Sequence, residues 1–102
     1  MTPVIERHRA EIATLCRRYH VKRLDLFGSA ARGEDRPDRS DLDFLVAFDA
    51  RATDAYAESY FGLLEELEKL FGRPVDLVVD EAIRNPYLRQ GIERSMAAIY
   101  AA

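Results

Sequence analysis

Three aspartates are placed where they could serve metal-dependent chemistry. Asp41 and Asp43 stand two residues apart around the start of a strand-like stretch, residues 42 to 48. The period of two along a strand puts both carboxylates on one face, about 7 Å apart at the backbone. Asp76 lies in a second apolar stretch, residues 74 to 79. Because an unpaired charge inside an apolar strand is costly, Asp43 and Asp76 both predict a compensating partner.

The carboxylates predict a site for two Mg²⁺ ions. If the two strands are neighbours, about 4.8 Å apart, Asp41, Asp43 and Asp76 converge on one patch. Carboxylates so close repel each other, and without a cation at least one would stay protonated. Mg²⁺ prefers such oxygen ligands, and a pair of ions can stabilise both the attacking and the leaving oxygen of a phosphoryl displacement. The alternative is that each aspartate is a solvent-facing residue at a strand end.

A small-residue turn precedes the paired aspartates. Gly28 and Ser29 follow a predicted strand, residues 21 to 27, and open a short helical turn. Glycine lets the backbone approach a phosphate closely and adopt a positive φ. The Ser29 hydroxyl and the free N–H groups of the turn can donate to an anion. Turns use both residues routinely, so the prediction of a phosphate site depends on the aspartates that follow.

Arg32 has two interpretations. Its guanidinium either contacts a phosphate of the nucleotide or pairs with a local acid such as Glu34 or Asp35. The sequence leaves both open, because the side chain must reach back towards the turn to touch the nucleotide.

Apolar patterning predicts the elements that position these groups, in the order α-β-(turn)-β-α-β-α. The predicted ranges are a helix from Thr2-Pro3 to about residue 19, strands at 21–27, 42–48 and 74–79, and helices at about 54–71 and 85–94. Gly72 is expected to end the long helix before it in a left-handed conformation. Residues 97–100 extend the last helix or form a terminal strand. The fold class is α/β (α+β), a small mixed sheet with helices packed on it.

Composition limits the classes of protein. The chain has 102 residues, with 15 Lys and Arg against 18 Asp and Glu and a net charge of −3. This length suits one domain spanning residues 1–102, and the acidic balance argues against a general nucleic-acid binder. No apolar run reaches the roughly 20 residues that cross a bilayer, and no secretory signal is recognisable. A single cysteine, Cys16, suits a reducing interior, so a cytoplasmic location without a membrane partner is expected.

Seven positions resemble the signature of nucleotidyltransferases related to DNA polymerase β. They are Gly28, Ser29, Arg32, Gly33, Ser40, Asp41 and Asp43. The chain is similar to a minimal nucleotidyltransferase domain (MNT) over essentially its whole length. The resemblance implies that Asp41, Asp43 and Asp76 are catalytic and bind two Mg²⁺ ions. It implies that the nucleotide triphosphate is held by Gly28, Ser29, Arg32 and Ser40.

The resemblance also implies a substrate and a partner. Small relatives of this kind are commonly paired with a HEPN-domain RNase toxin and act as its antitoxin, moving AMP from ATP to a tyrosine of the toxin. Two alternatives stay open: an antitoxin that neutralises the toxin by binding alone, and a transferase that acts on RNA or a small molecule. The oligomeric state is also open, either a homodimer or a hetero-oligomer with the toxin.

Overall fold

The computed structural model describes residues 3–34, 36 and 41–102. The helices are α1 (Pro3–Arg7), α2 (Arg9–Arg18), α3 (Gly28–Arg32), α4 (Tyr56–Phe71) and α5 (Pro86–Ser95), with short 3₁₀ helices at Ala50–Ala55 and Asp80–Ala82. The strands are β1 (Val21–Phe27), β2 (Leu42–Phe48), β3 (Val75–Val79) and β4 (Ala97–Ala101). Within the described ranges, no helix is long and apolar enough to cross a membrane.

The four strands form one mixed sheet in the order β3-β2-β1-β4. β1 is antiparallel to both β2 and β4, whereas β2 and β3 are parallel. A parallel pair needs a long crossover connection, and α4 supplies it between β2 and β3. The predicted mixed sheet with packed helices is therefore confirmed.

One face of the sheet packs against helices and forms the hydrophobic core with them. Along β2 the alternate residues are buried and belong to the core cluster: Leu42, Phe44, Val46 and Phe48. Helices α2 and α4 cover this face with Ile12, Cys16, Leu63 and Leu67. Burial raises the pKa of the Cys16 thiol to about 12. The thiol is therefore protonated at neutral pH, and Cys16 is a packing residue rather than a nucleophile.

The N-terminal helix is divided in two, which the apolar pattern did not predict. α1 ends at Arg7 and α2 begins at Arg9, and His8 between them has φ −110° and ψ 13°. The His8 N–H donates to the Ile5 carbonyl at 3.1 Å, a tighter turn than an α-helix makes. The apolar residues keep their helical spacing across the break at His8, because α1 and α2 bury the same face. Thr2, where this helix was expected to begin, lies outside the described residues.

The remaining elements refine the predicted ranges. The helix expected from about residue 54 is preceded by the 3₁₀ helix Ala50–Ala55. The Asp49 side chain caps the N-terminus of this 3₁₀ helix by accepting a hydrogen bond from the Arg51 N–H. Gly72 ends α4 with φ 64°, as predicted. Residues 97–101 form a strand that pairs with β1, which decides the alternative left open by the sequence.

Candidate active site

Asp43 and Asp76 lie directly opposite each other on neighbouring strands. They are Cα partners in the parallel pairing of β2 with β3. Both point to the face of the sheet away from the core, because the alternate residues of β2 and β3 are the buried ones. Asp41 is exposed and immediately precedes β2. The structure thus brings Asp43 and Asp76 together at one edge of the sheet, with Asp41 close by in the chain.

The charges of this patch act on Asp43. Burial is the largest factor that raises the pKa of Asp43, and the charges of Asp76 and Asp41 raise it further. The Arg32 guanidinium opposes these effects by favouring the ionised carboxylate. The three carboxylates are therefore close enough to interact electrostatically. A cation bound between them would remove the repulsion that raises the pKa.

The carboxylate ligands at this site suit Mg²⁺ rather than a metal ion that is coordinated by protein side chains alone. Among the residues that the structure describes, no group of three or more His, Cys, Asp and Glu side chains could hold a metal ion by itself. Mg²⁺ does not need such a cage, since it usually takes one or two carboxylates and completes its shell with water and substrate phosphates. The facing carboxylates of Asp43 and Asp76, both hard oxygen donors, suit an ion of that kind.

The Asp43 side chain lies so close to residue 28 that only glycine fits there. Its φ of 73° lies in the left-handed region that side chains disfavour. In addition, a Cβ atom at Gly28 would overlap Oδ2 of Asp43. This close approach follows from the antiparallel register, in which Phe27 is the partner of Asp43. The turn that was predicted to accept a phosphate therefore lies against the carboxylate that was predicted to bind metal.

Ser95 contacts the turn at Gly28, and sequence reasoning missed it. The Gly28 N–H donates to Oγ of Ser95 at 3.0 Å, a contact between positions 67 residues apart. Ser95 is the last residue of α5, so this bond connects the end of that helix to the turn. No local signal marks Ser95, because its role depends on how α5 packs against the sheet.

Arg32 is paired locally in the structure. Its Nε lies 3.0 Å from Oε2 of Glu34, and both side chains are at least half exposed. This is the second of the two interpretations that the sequence left open, although Arg32 still influences the pKa of Asp43. The other predicted nucleotide contact, Ser40, lies outside the described residues, as does Asp35. Ser29 is partly buried in α3, immediately after Gly28.

Asp25 is a second buried carboxylate on the same face, and sequence reasoning missed it. It is only 2% exposed, pairs with Leu45 across the β1–β2 register, and therefore shares the face of Asp43. Burial raises the pKa of Asp25, and the nearby Arg23 lowers it. The signal was present in the sequence: Asp25 interrupts an apolar strand between Leu24 and Leu26, as Asp43 and Asp76 interrupt theirs.

The comparison with protein families decides the class. Residues 9–99 match the nucleotidyltransferase domain family. The chain belongs to this family. It is also similar to a Methanocaldococcus jannaschii protein named "Putative protein adenylyltransferase MJ1379", with 43% identity over 78% of this chain and 77% of the relative. The protein adenylyltransferase MntA of Thermococcus cleftensis is 33% identical over 80% of this chain and 76% of its own length.

Solved structures agree with this nucleotidyltransferase assignment. A structure described as a "putative minimal nucleotidyltransferase" superposes with a TM-score of 0.75 and 37% identity, over 90% of this chain and 89% of that one. A tri-AMPylated Shewanella oneidensis HEPN toxin in complex with MNT antitoxin matches with a TM-score of 0.64 over 96% of this chain and 73% of that one. The latter identity is 18%, so it shows the shared fold alone. The predicted family, fold and enzyme class are thereby confirmed.

Proposed function

We propose that this nucleotidyltransferase moves AMP from ATP to a hydroxyl group, that of a tyrosine, on a HEPN-domain toxin, and so acts as the antitoxin of a pair. The observation that carries the chemistry is the register that sets Asp43 opposite Asp76 beside the turn at Gly28. The protein acceptor is supported by the names of the relatives, which are protein adenylyltransferases. The toxin partner is supported by the fold shared with an MNT antitoxin complex.

The proposed reaction is an in-line displacement at the α-phosphate. The acceptor hydroxyl oxygen forms a bond to the α-phosphorus, and the bond from that phosphorus to the oxygen bridging to the β-phosphate breaks. Pyrophosphate is the leaving group, and AMP stays on the acceptor. Asp76 is exposed at the edge strand and accepts the hydroxyl proton in this proposal. No covalent intermediate with the enzyme is needed.

Different residues of the site position the triphosphate and the metal ions in this proposal. Gly28 lets the triphosphate approach the backbone, and Ser29 donates its hydroxyl to a phosphate oxygen. Two Mg²⁺ ions held by Asp41, Asp43 and Asp76 would neutralise charge on the attacking and leaving oxygens. The raised pKa of Asp43 supports this assignment, because burial and the neighbouring carboxylates destabilise its ionised form, which a bound cation would stabilise.

The transferase is proposed to act in the cytoplasm as one domain spanning residues 1–102. ATP is present there, and a single buried thiol suits a reducing compartment. We propose no membrane or nucleic-acid partner for this reaction.

A second candidate function is neutralisation of the toxin by binding alone. It is favoured by two exposed apolar side chains at the start of α5, Tyr87 at 80% and Leu88 at 51% exposure. Large contiguous patches of exposed apolar side chains mark surfaces that bind another protein, and these two residues would belong to such a patch in this candidate function. In this case the antitoxin would protect cells even with its catalytic carboxylates removed. Full protection by Asp43→Asn in cells that express the toxin would therefore favour masking over transfer.

The experiment that tests the proposal is a transfer assay with α-³²P-labelled ATP, Mg²⁺ and lysate from the source organism. Wild type is compared with Asp41→Asn/Asp43→Asn and with Asp49→Asn, a control whose aspartate pairs with Arg51 away from the site. We expect a labelled protein band with wild type and Asp49→Asn and none with the double variant. Labelled RNA would contradict the protein acceptor, and no label with any variant would contradict the transfer.

A further inference from the structure

A cavity of about 150 Å³ lies between the sheet and α5. Its sheet side is lined by alternate residues of two paired strands, which share the face away from the core: Arg23 and Asp25 of β1, and Leu45 and Ala47 of β2. Its helix side is lined by residues three or four positions apart: Arg89, Ile92, Glu93 and Met96. Asp80 and Ile83 complete the lining. Half of these side chains are apolar and half are charged, so the cavity suits a ligand with an apolar body and a charged group.

The charged side chains that line the cavity do not balance. The two arginines are accompanied by three carboxylates, those of Asp25, Asp80 and Glu93. Arg23 Nε lies 3.0 Å from Oδ2 of Asp25, and Arg89 Nη1 lies 2.9 Å from Oδ1 of Asp80. With both arginines paired in this way and every group ionised, the lining carries one excess negative charge. A ligand with a single positive charge would neutralise it.

One buried oxygen in this lining has no hydrogen-bond donor. Asp25 is only 2% exposed, and its Oδ1 has no partner among the described residues. A buried acceptor without a donor is unfavourable, and more so when it belongs to a charged group. Arg89 is not available to supply that donor, because its Nη1 and Nη2 already bond to the side chain and the carbonyl of Asp80. The cavity therefore calls for a ligand that donates an N–H group as well as a positive charge.

The rest of the lining favours an organic cation over a metal ion. Within the described ranges, no group of three or more His, Cys, Asp and Glu side chains is placed to hold a metal ion, so the carboxylates here do not form a coordination shell. The apolar side chains of the lining would instead pack against methylene groups, as lysine stems do on apolar surfaces. A cavity of about 150 Å³ can hold a ligand of the size of benzene, and n-butylammonium is no larger. Its ammonium group carries only donors, which matches the unpaired acceptor.

We propose that this cavity binds one primary ammonium group on an unbranched aliphatic chain, with the ammonium donating to Oδ1 of Asp25 and the chain packed between Leu45 and Ile92. Such a site is independent of AMP transfer, since none of the described residues proposed to hold the triphosphate or the metal ions lines the cavity. A free alkylamine and the side chain of a lysine offer the same chemistry. A second positive charge on the ligand is unfavourable, because Arg23 and Arg89 already lie in the lining.

The test titrates the full-length protein with small probes and follows the amide signals of Leu45 and Ile92 by NMR. n-Butylammonium should bind at least about tenfold more tightly than 1-butanol, its neutral counterpart, and than tetramethylammonium, which is charged but has no N–H donor. Asp25→Asn should weaken the binding of n-butylammonium about tenfold and leave that of 1-butanol nearly unchanged, because only the charge of the acceptor is removed. Asp49→Asn, a second Arg-paired aspartate, is the matched control and should bind every probe as wild type does.

Ala47→Leu gives an independent test if Asp25→Asn does not fold. The larger side chain fills part of the cavity, so n-butylammonium and 1-butanol should both bind at least about tenfold more weakly. Equal binding of these two probes by wild type, no binding of n-butylammonium, or unchanged affinity for it in either variant would overturn the proposal.

A capped lysine, Nα-acetyl-lysine methylamide, distinguishes the two sources of the ammonium group. Binding of this probe as tightly as n-butylammonium would support a lysine side chain of another protein as the ligand. Binding of n-butylammonium alone would support a free alkylamine, because the capped backbone would then be excluded at the mouth of the cavity. Either result keeps the ammonium site, and loss of AMP transfer in a variant with normal n-butylammonium binding would leave it unaffected.

Discussion

Two neighbouring positions on one sheet face hold carboxylates in different surroundings. Asp43 lies opposite Asp76, and burial together with the neighbouring carboxylates raises its pKa. Asp25, whose register partner Leu45 stands two residues along β2 from Asp43, is more deeply buried but is bonded to the Arg23 guanidinium. Charge of one sign accumulates around Asp43, whereas the charge of Asp25 is paired within the chain.

This difference indicates which position is suited to a metal cation. A carboxylate already paired with arginine gains little from a metal ion, whereas facing carboxylates gain a great deal. Asp43 is therefore the reactive position in our proposal, and Asp25 is not expected to bind metal. Substitutions should separate the two positions, with the largest effect at Asp43.

Asp43→Asn should lower the rate of AMP transfer about 1,000-fold, because a lost metal ligand removes several kcal/mol of transition-state stabilisation. The variant should keep its fold, which circular dichroism would show. Asp49→Asn, paired with Arg51 elsewhere, should keep nearly the full rate. Transfer by Asp43→Asn near the wild-type rate would remove Asp43 from catalysis and with it the proposed difference between Asp43 and Asp25.

Gly28→Ala should lower transfer at least about tenfold, because the added Cβ displaces Oδ2 of Asp43 and strains a residue with φ 73°. Gly33→Ala is a matched control, since Gly33 has φ 75° but a Cβ atom added there would meet no atom within 4 Å. Both variants carry the conformational strain, and only Gly28→Ala disturbs the carboxylate. Equal loss of transfer in the two would show that backbone strain, not the contact with Asp43, matters.

Asp41→Asn and Asp43→Asn should each raise the melting temperature by a few degrees in EDTA, because one like-charge repulsion is removed. With Mg²⁺ and AMP-PNP the order should reverse, since wild type gains more binding energy. Differential scanning fluorimetry in both buffers provides the measurement. If Mg²⁺ and AMP-PNP change the melting temperature of none of these proteins, the proposed site is wrong.

The smallest expected effect is a pH dependence of stability without metal. The pKa of Asp43 is raised on folding, so between the ordinary aspartate pKa of 3.8 and the raised value the folded protein binds more protons than the unfolded chain. Stability should therefore fall as pH rises through this window. The melting-temperature advantage of Asp43→Asn should be absent below pH 3.8 and grow above it. A constant advantage across this range would mean that Asp43 does not carry the repulsion.

Local patterns made much of the fold predictable. The alternation in β2 and the glycine after α4 are determined by nearby residues, and both agree with the sequence-based expectation. The break at His8 was not predictable, because the apolar positions on either side stay in phase. The strand at residues 97–101 depends on pairing with β1, a contact that periodicity cannot express.

The candidate site was predictable where charge interrupts an apolar strand. That rule identified Asp43 and Asp76 and would have identified Asp25 had it been applied to β1. It could not identify Ser95, whose bond to Gly28 depends on the packing of α5. Nor could it choose between the partners of Arg32, because both require a side-chain conformation that spacing does not fix.

The parallel pairing of β2 with β3 has a consequence for how the protein folds. Asp43 and Asp76 become neighbours only after the chain between them has formed α4 and crossed over the sheet. Contacts so far apart in sequence are slow to form because closing the intervening loop costs entropy. A partly folded chain that has paired β1 with β2 would hold Gly28 against Asp43 yet lack Asp76. Recovery of metal-dependent transfer during refolding would therefore lag behind recovery of that first pair, and activity would report completion of the native topology.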